Sequence, residues 1–290
     1  MRSSWFRAGI PALLAVVLVA GSVFDGIVVA QSAGNISAND DYTSLGGKEK
    51  EIISKTMSPE KYNKDISIKA EIARKMTEIE IKKQIEQSLK DSYFTLAGTG
   101  TVYLGTDTTF YDASHGDSGT SSTGACPSFY GSDYYITANK AEAATVLGPG
   151  GYCSKGAWAW IGKSFYVSGS GSQTANIIQR GHIWGLTSAA AGGSSHAEIK
   201  FVVKDLTTGA EYSTTIYSKS EGGVGWTEVN RDYTKGITVN LQAGHTYIAY
   251  LLVETSGAIY GIGEAGSDFG RQDGDYVGEG AWYYSITIDF

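Results

Sequence analysis

The chain has 290 residues, with 38 Gly, 19 Tyr, 9 Phe and 6 Trp but only 4 Pro, 3 Met and 2 Cys. Its 42% apolar content excludes a disordered polymer, and Gly without a three-residue period excludes a collagen-like one. A net charge of −7 at pH 7 argues against a nucleic-acid partner, because phosphate binding needs clustered Lys and Arg.

Residues 1–30 read as a secretory signal peptide. Arg2 and Arg7 precede an apolar run from Ala8 to Phe24, and the small-residue ending Val28-Val29-Ala30 suits cleavage. No later apolar run reaches the ~20 residues of a spanning helix, so no membrane span is expected after signal removal. The mature protein is expected to be secreted and extracellular or attached to a cell surface. An oxidising compartment lets Cys126 and Cys153 pair, and their spacing fits no metal or redox motif. Residues 31–57 read as a flexible polar leader that carries one glycosylation sequon, Asn35-Ile36-Ser37.

Residues 58–91 form a charged segment with helical character. Ser58-Pro59 supplies an N-cap and a Pro at the first helical position. Glu71/Lys75, Glu78/Lys82 and Glu86/Lys90 are i,i+4 pairs in the favourable order. On a helical wheel Ile68, Ile72, Met76 and Ile79 share one arc, while Ile81, Ile85 and Leu89 occupy a nearly opposite one. Either the helix breaks near Glu80 or a single helix meets different surfaces along its length. It would pack on the β-body, or serve as a stalk or assembly element that pairs with other copies.

From residue 92 the period changes to two, and residues 92–290 read as one β domain. Ala197, Ile199, Phe201 and Val203 alternate with charged residues, as do Ile237, Val239 and Leu241 with polar ones. Trp282, Tyr284, Ile286, Ile288 and Phe290 form a third apolar set, and His245 to Val253 is apolar on both faces and reads as a central strand. Thr207-Thr208-Gly209 marks a hairpin turn. Thr137 caps an expected short helix from Ala138 to Leu147, stopped by Gly148-Pro149-Gly150. Nine to eleven strands fit two packed antiparallel sheets, so a mainly β, jelly-roll-like β-sandwich is expected.

Two motif matches fail on context. Gly261-Ile262-Gly263-Glu264-Ala265-Gly266 fits GxGxxG, yet no helix follows to receive a dinucleotide phosphate. Gly162-Lys163-Ser164 resembles the end of a P-loop, but Trp158 and Trp160 fill the loop. There is no G-x-S-x-G and no H-E-x-x-H, so no catalytic residue is assigned and no cofactor is implied.

Strand alternation supplies the candidate sites. With Ala159, Ile161, Phe165 and Val167 in the core, Trp158, Trp160 and Tyr166 share the other face as a stacking surface for sugars. Arg180, His182 and Trp184 likewise share the face opposite Ala175, Ile177 and Ile183, and Trp226, Glu228 and Asn230 repeat that chemistry. Asp268, Asp273, Asp275 and Glu279 are candidate ligands for a structural Ca²⁺ ion, although the loop departs from the EF-hand at its fifth and twelfth positions; Asp112, His115 and Asp117 are a weaker set.

The passage Leu241-Gln242-Ala243-Gly244-His245-Thr246-Tyr247, followed by a long apolar strand, resembles the turn and strand of secreted β-sandwich modules, carbohydrate-binding ones included. The expected function is non-catalytic binding or display at an extracellular surface, with a glycan or cell-envelope polymer as partner. The alternatives are a structural subunit of an extracellular filament, coat or matrix, which binds copies of itself, and a secreted hydrolase or lyase.

Overall fold

The computed structural model describes residues 59–91, 98–261, 263–270 and 279–290. The expected signal peptide, polar leader and Ser58 cap, together with Asp273 and Asp275, lie outside the described residues.

In chain order the elements are α1 (Pro59–Asp91), β1 (Gly100–Tyr103), β2 (Thr108–Phe110), β3 (His115–Ala125), β4 (Ser128–Tyr135), β5 (Lys140–Leu147), β6 (Tyr152–Ser168), β7 (Ser172–Ala190), β8 (Gly193–Asp205), β9 (Glu211–Gly222), β10 (Gly225–Gln242), β11 (Thr246–Tyr260), β12 (Glu264–Phe269) and β13 (Gly280–Asp289). They build a β-sandwich. A six-stranded sheet runs β1-β6-β11-β8-β9 with β3 also on β6, and a seven-stranded sheet runs β10-β7-β12-β5-β13-β2 with β4 on β5. Every pairing is antiparallel except β1 with β6.

One core lies between the sheets. Ala159, Ile161, Phe165, Ile199, Phe201, Val203, Leu251 and Val253 from one sheet meet Ile177, Ile183, Val239, Leu241, Phe269 and Ile286 from the other. These residues recur at every second position, as a strand with one face in the core requires. The Thr207-Thr208-Gly209 turn joins β8 to β9 as its sequence indicates. Asp205 Oδ1 accepts from the Thr207 and Thr208 amides at 2.8 and 3.2 Å, and Gly209 takes a φ of 82°.

The helix expected over Ala138 to Leu147 is a strand. A 3-10 turn spans Ile136–Ala138, Asn139 stops it in the left-handed region at φ 51°, and β5 follows. The Ala-rich run has good helix propensity, but its small side chains fit a strand that pairs with β4, β12 and β13, and that tertiary pairing prevails. The count of strands is also higher than the alternation implies. The Gly- and Ser-rich β3 carries no apolar period, so its eleven residues give no strand signal.

α1 is one unbroken helix of 33 residues that lies on the outer face of the six-stranded sheet. Ile81, Ile85 and Leu89 pack against Trp158, Trp160, Val202, Ile248, Tyr250 and Leu252. Gly156 makes room for this contact, since a β-carbon there would come within 2.3 Å of Ile81 Cδ1 and 2.9 Å of Thr77 Cγ2. Midway along the helix, between this patch and the buried Ile66 and Ala70, the interface turns polar. Arg74 Nε donates to Ser194 Oγ at 3.0 Å, and Ser256 Oγ donates to Glu78 Oε1 at 2.8 Å. No described helix is long and apolar enough to cross a membrane.

One disulfide, Cys126–Cys153, ties the β3–β4 turn to β6, with Cα atoms 5.7 Å apart.

Candidate functional site

α1 settles the first candidate surface. Trp158 and Trp160 do face away from the sandwich core, but they are 3% and 0% exposed because the helix lies over them. Their indole N–H groups donate to Gln84 Oε1 at 2.9 Å and to Ser88 Oγ at 3.0 Å. The expected open stacking surface is therefore the floor of a helix–sheet interface. Tyr166, on the same strand face, is 41% exposed and stands apart from the other candidate residues.

The outer face of the seven-stranded sheet brings the remaining candidates together. Ile177 and Ile183 of β7 point into the core, so Arg180, His182 and Trp184 point outward. β10 lies antiparallel beside this strand and sets Thr234 next to Arg180, Asp232 next to His182, Asn230 next to Trp184 and Glu228 next to Leu186. Trp226 follows at the end of the row, next to Ser188. On the opposite flank β13 sets Trp282 next to His182.

His182 is the centre of this surface. Its imidazole stacks on the Trp282 indole, with ring centroids 4.7 Å apart and planes 23° from parallel. Nδ1 lies 2.7 Å from Asp232 Oδ1, and Nε2 lies 2.8 Å from the Asn230 side-chain amide. Tyr284 Oη donates to the same Asp232 oxygen at 3.2 Å. The hydrogen bond from His182 holds the Asp232 carboxyl below its ordinary range, and Tyr284 adds to that. Around this fixed ring Trp226, Tyr284 and Arg180 are exposed, and Trp184 and Trp282 are half-buried.

Beyond Trp282 the face becomes ionic. Lys140 Nζ sits 5.9 Å from the Trp282 ring centroid and 2.5 Å from Glu142 Oε1, both residues being buried. Burial pushes the Glu142 carboxyl up, and Lys140 opposes that rise. Gly280, opposite Trp184, leaves room for the pair: a β-carbon there would lie 2.7 Å from Lys140 Cε and 3.2 Å from Glu142 Cγ. Glu279 has its carboxyl raised to about 7, first by burial and then by the charges of Asp268 and Glu228.

The candidate Ca²⁺ ligands Asp268 and Glu279 thus fall on this face and sense each other's charge, while the other two lie outside the described residues. Among the described residues no three His, Cys, Asp or Glu side chains converge to hold a metal ion. Of the weaker acidic set, Asp112 accepts an ion pair from Lys163 at 2.6 Å, and His115 Nδ1 contacts Ser114 Oγ at 2.7 Å.

Trp282, Tyr284, Asp232, Lys140 and Glu142 belong to the surface but escape the sequence pattern. A β-bulge between Tyr283 and Ser285 changes the phase of β13. Upstream of it Ala281 and Tyr283 are buried and Trp282 faces out; downstream Ile286 and Ile288 are buried. Read as one unbroken alternation, the strand assigns Trp282 and Tyr284 to the core set, and the bulge corrects both.

Chemically the surface pairs aromatic ring faces with closely spaced donors and acceptors. Sugar rings present apolar C–H faces and hydroxyls, the two kinds of group that such a surface meets. Its charge is net negative, with Glu228, Asp232 and Asp268, and Glu279 about half protonated near pH 7, against Arg180, while Lys140 and Glu142 offset each other.

No known protein family matches the sequence, and no curated protein matches it. Solved structures with slight similarity include an isomaltodextranase from Arthrobacter globiformis in complex with panose, at 12% identity and TM-score 0.18 over 59% of this chain and 23% of that one. Another is tailspike protein 4 of bacteriophage CBA120, at 14% identity and TM-score 0.16 over 50% of this chain and 19% of that one. A third is a family 22 carbohydrate-binding module of a Clostridium thermocellum xylanase, at 11% identity and TM-score 0.17 over 56% of this chain and 86% of that one. The chain spans less than a quarter of the first two, and likenesses this slight carry no argument about it.

Proposed function

We propose that this protein is an exported β-sandwich whose seven-stranded sheet binds carbohydrate on its outer face, with a neutral surface or extracellular polysaccharide as the ligand class. The observation that carries this reading is the His182–Trp282 stack, locked by Asp232 and Asn230 and flanked by Trp184 and Tyr284. Two held rings give a rigid stacking surface, so little side-chain entropy is lost when a sugar docks. The fixed carboxylate and amide beside them accept and donate to hydroxyls. The disulfide supports export, since such bonds persist in oxidising compartments.

The test is retention of the purified protein on a panel of neutral polysaccharides, followed by titration calorimetry with the best binder. Trp184→Ala and Trp282→Ala are each expected to weaken binding about 2- to 10-fold, in line with the ~0.5–1.5 kcal/mol of an aromatic stacking contact. Binding unchanged in both variants overturns the site, and retention on none of the polysaccharides overturns the ligand class.

A further inference from the structure

α1 presents two opposite faces, and only one of them is used by the sandwich. Ile81, Ile85 and Leu89 are buried on the sheet, whereas Ile68, Ile72, Met76 and Ile79 are 46%, 55%, 67% and 56% exposed on the far side. Four large apolar side chains in one stripe along about three turns of helix form a contiguous patch, unlike the single exposed apolar residues common on any surface. We propose that this stripe docks antiparallel on the same stripe of a second copy of the chain, about a two-fold axis level with Arg74.

The charges around the stripe choose the occupant and the direction. An antiparallel pair with its axis at Arg74 places Ile72 of each copy opposite Met76 of the other, and Ile68 opposite Ile79. Asp65 and Lys83 are each nine residues from that level, and on a 100° wheel both continue the line of the stripe. Asp65 of one copy therefore meets Lys83 of the other at both ends of the contact. One flank carries Lys69 and Glu80, the other Lys75 and Glu71. Because like flanks meet in an antiparallel pair, Lys69 faces Glu80 and Lys75 comes within a turn of Glu71. Asp65–Lys83 and Lys69–Glu80 thus meet with opposite sign, whereas Lys75 also nears Lys75 of the other copy and Lys64 nears Lys82, so the direction rests on the Asp65–Lys83 contacts at the two ends. A parallel pair would instead set Asp65 on Asp65 and Lys83 on Lys83.

All six charged side chains are accessible. Their relative exposures lie between 45% and 69%, and their present partners are local ones on α1, namely Lys69–Asp65, Lys75–Glu71 and Lys83–Glu80. Such i,i+3 and i,i+4 pairs are weak and exchange readily for pairs across a dimer. Between Asp65 and Lys83 the contact is about 27 Å long at 1.5 Å per residue. It is smaller than the ~800 Å² per partner of a standard interface, so the dimer is expected to be weak and sensitive to salt.

Sedimentation of the full chain over a range of micromolar concentrations tests this directly. The parent protein is expected to show a monomer–dimer equilibrium that shifts toward monomer as salt is raised. Ile72→Asp is expected to leave a monomer with an unchanged near-ultraviolet spectrum, since its side chain is exposed and belongs to none of the core clusters. Asp65→Lys and Lys83→Asp each turn two attractive contacts into repulsive ones and are expected to weaken the dimer roughly 5- to 30-fold. The double variant Asp65→Lys/Lys83→Asp restores opposite charges and is expected to return the parent affinity. A parent protein that stays monomeric throughout overturns the proposal, whether the stripe meets another part of its own chain or a lipid surface. A dimer indifferent to Ile72→Asp overturns the face, and failure of the double variant to recover overturns the antiparallel register.

Discussion

Trp160 donates its indole N–H to the Ser88 hydroxyl at 3.0 Å, a contact between β6 and α1 that is closed to solvent on both sides. The fully buried ring is thus satisfied by the helix in both of its needs: apolar cover from Ile81, Ile85 and Leu89, and an acceptor for its one polar atom. Replacing Ser88 with Ala keeps the cover and removes the acceptor. An unpaired buried donor costs about 1–3 kcal/mol, so Ser88→Ala is expected to lower the urea midpoint accordingly. Gln87→Ala, one residue away on α1, is expected to change it by less than about 0.5 kcal/mol, since only the exposed hydrogen bond to Asp91 is lost. Equal midpoints for the two variants would refute this account of the interface.

Glu264, at the start of β12, has its carboxyl raised to about 7 by burial alone, against an ordinary value of 4.5. Between about pH 4.5 and 7 the folded chain therefore keeps a proton that the unfolded chain has lost. The native state binds more protons in that window, so stability falls as pH rises through it and levels off above. Because the side chain is partly exposed, the loss is on the order of 1–2 kcal/mol. Glu264→Gln removes this dependence. The variant is expected to match the parent at pH 4 and to unfold at a higher urea concentration at pH 8, and a gap of the same size at both pH values would contradict the assignment.

The Cys126–Cys153 bridge spans a sequence separation of 27 residues, which includes β4 and β5, a core strand of the seven-stranded sheet. On the chain-entropy relation, closing a loop of that length stabilises the fold by about 3–4 kcal/mol. Unfolding in urea with and without a thiol reductant checks this. The reduced protein is expected to have a lower midpoint and an equal or somewhat higher slope, because the unbridged unfolded chain exposes more surface, and an unshifted midpoint would show that the reduced ensemble is already constrained.

The sandwich was legible in the sequence wherever one face of a strand is buried and the other is wet. β8 and the second half of β10 show this plainly through Ile199, Phe201 and Val203 and through Ile237, Val239 and Leu241, all buried at alternate positions. Three physical effects hid the rest. A Gly- and Ser-rich strand such as β3 is held by backbone pairing to β6, which leaves no trace in side-chain pattern. The bulge in β13 resets the period within one strand, so Trp282 looks like core. Local alternation also says which face a side chain takes but not what covers that face. That is why Trp158 and Trp184 read alike, although one lies beneath α1 and the other on the open side of the second sheet.

The charge of the candidate face makes its selectivity predictable. Glu228 and Asp232 lie on β10 beside the strand that carries Trp184, Glu279 is about half protonated near pH 7, and Arg180 and Lys140 are the basic residues of the face, with Lys140 already paired to Glu142. A polyuronate would bring further carboxylates to this surface and be repelled, whereas a neutral polymer meets no such penalty. Binding of the neutral polysaccharide is therefore expected to change little between low and moderate salt, and a polyuronate of equal chain length is expected not to bind at low salt. Glu228→Gln removes one exposed charge without touching the His182 stack, so it should leave neutral binding intact while raising affinity for the polyuronate a few-fold, an effect that screening by salt erases. Tighter binding of the polyuronate by the parent protein would show that Arg180, rather than the aromatic row, governs recognition, and would move the ligand to the acidic class.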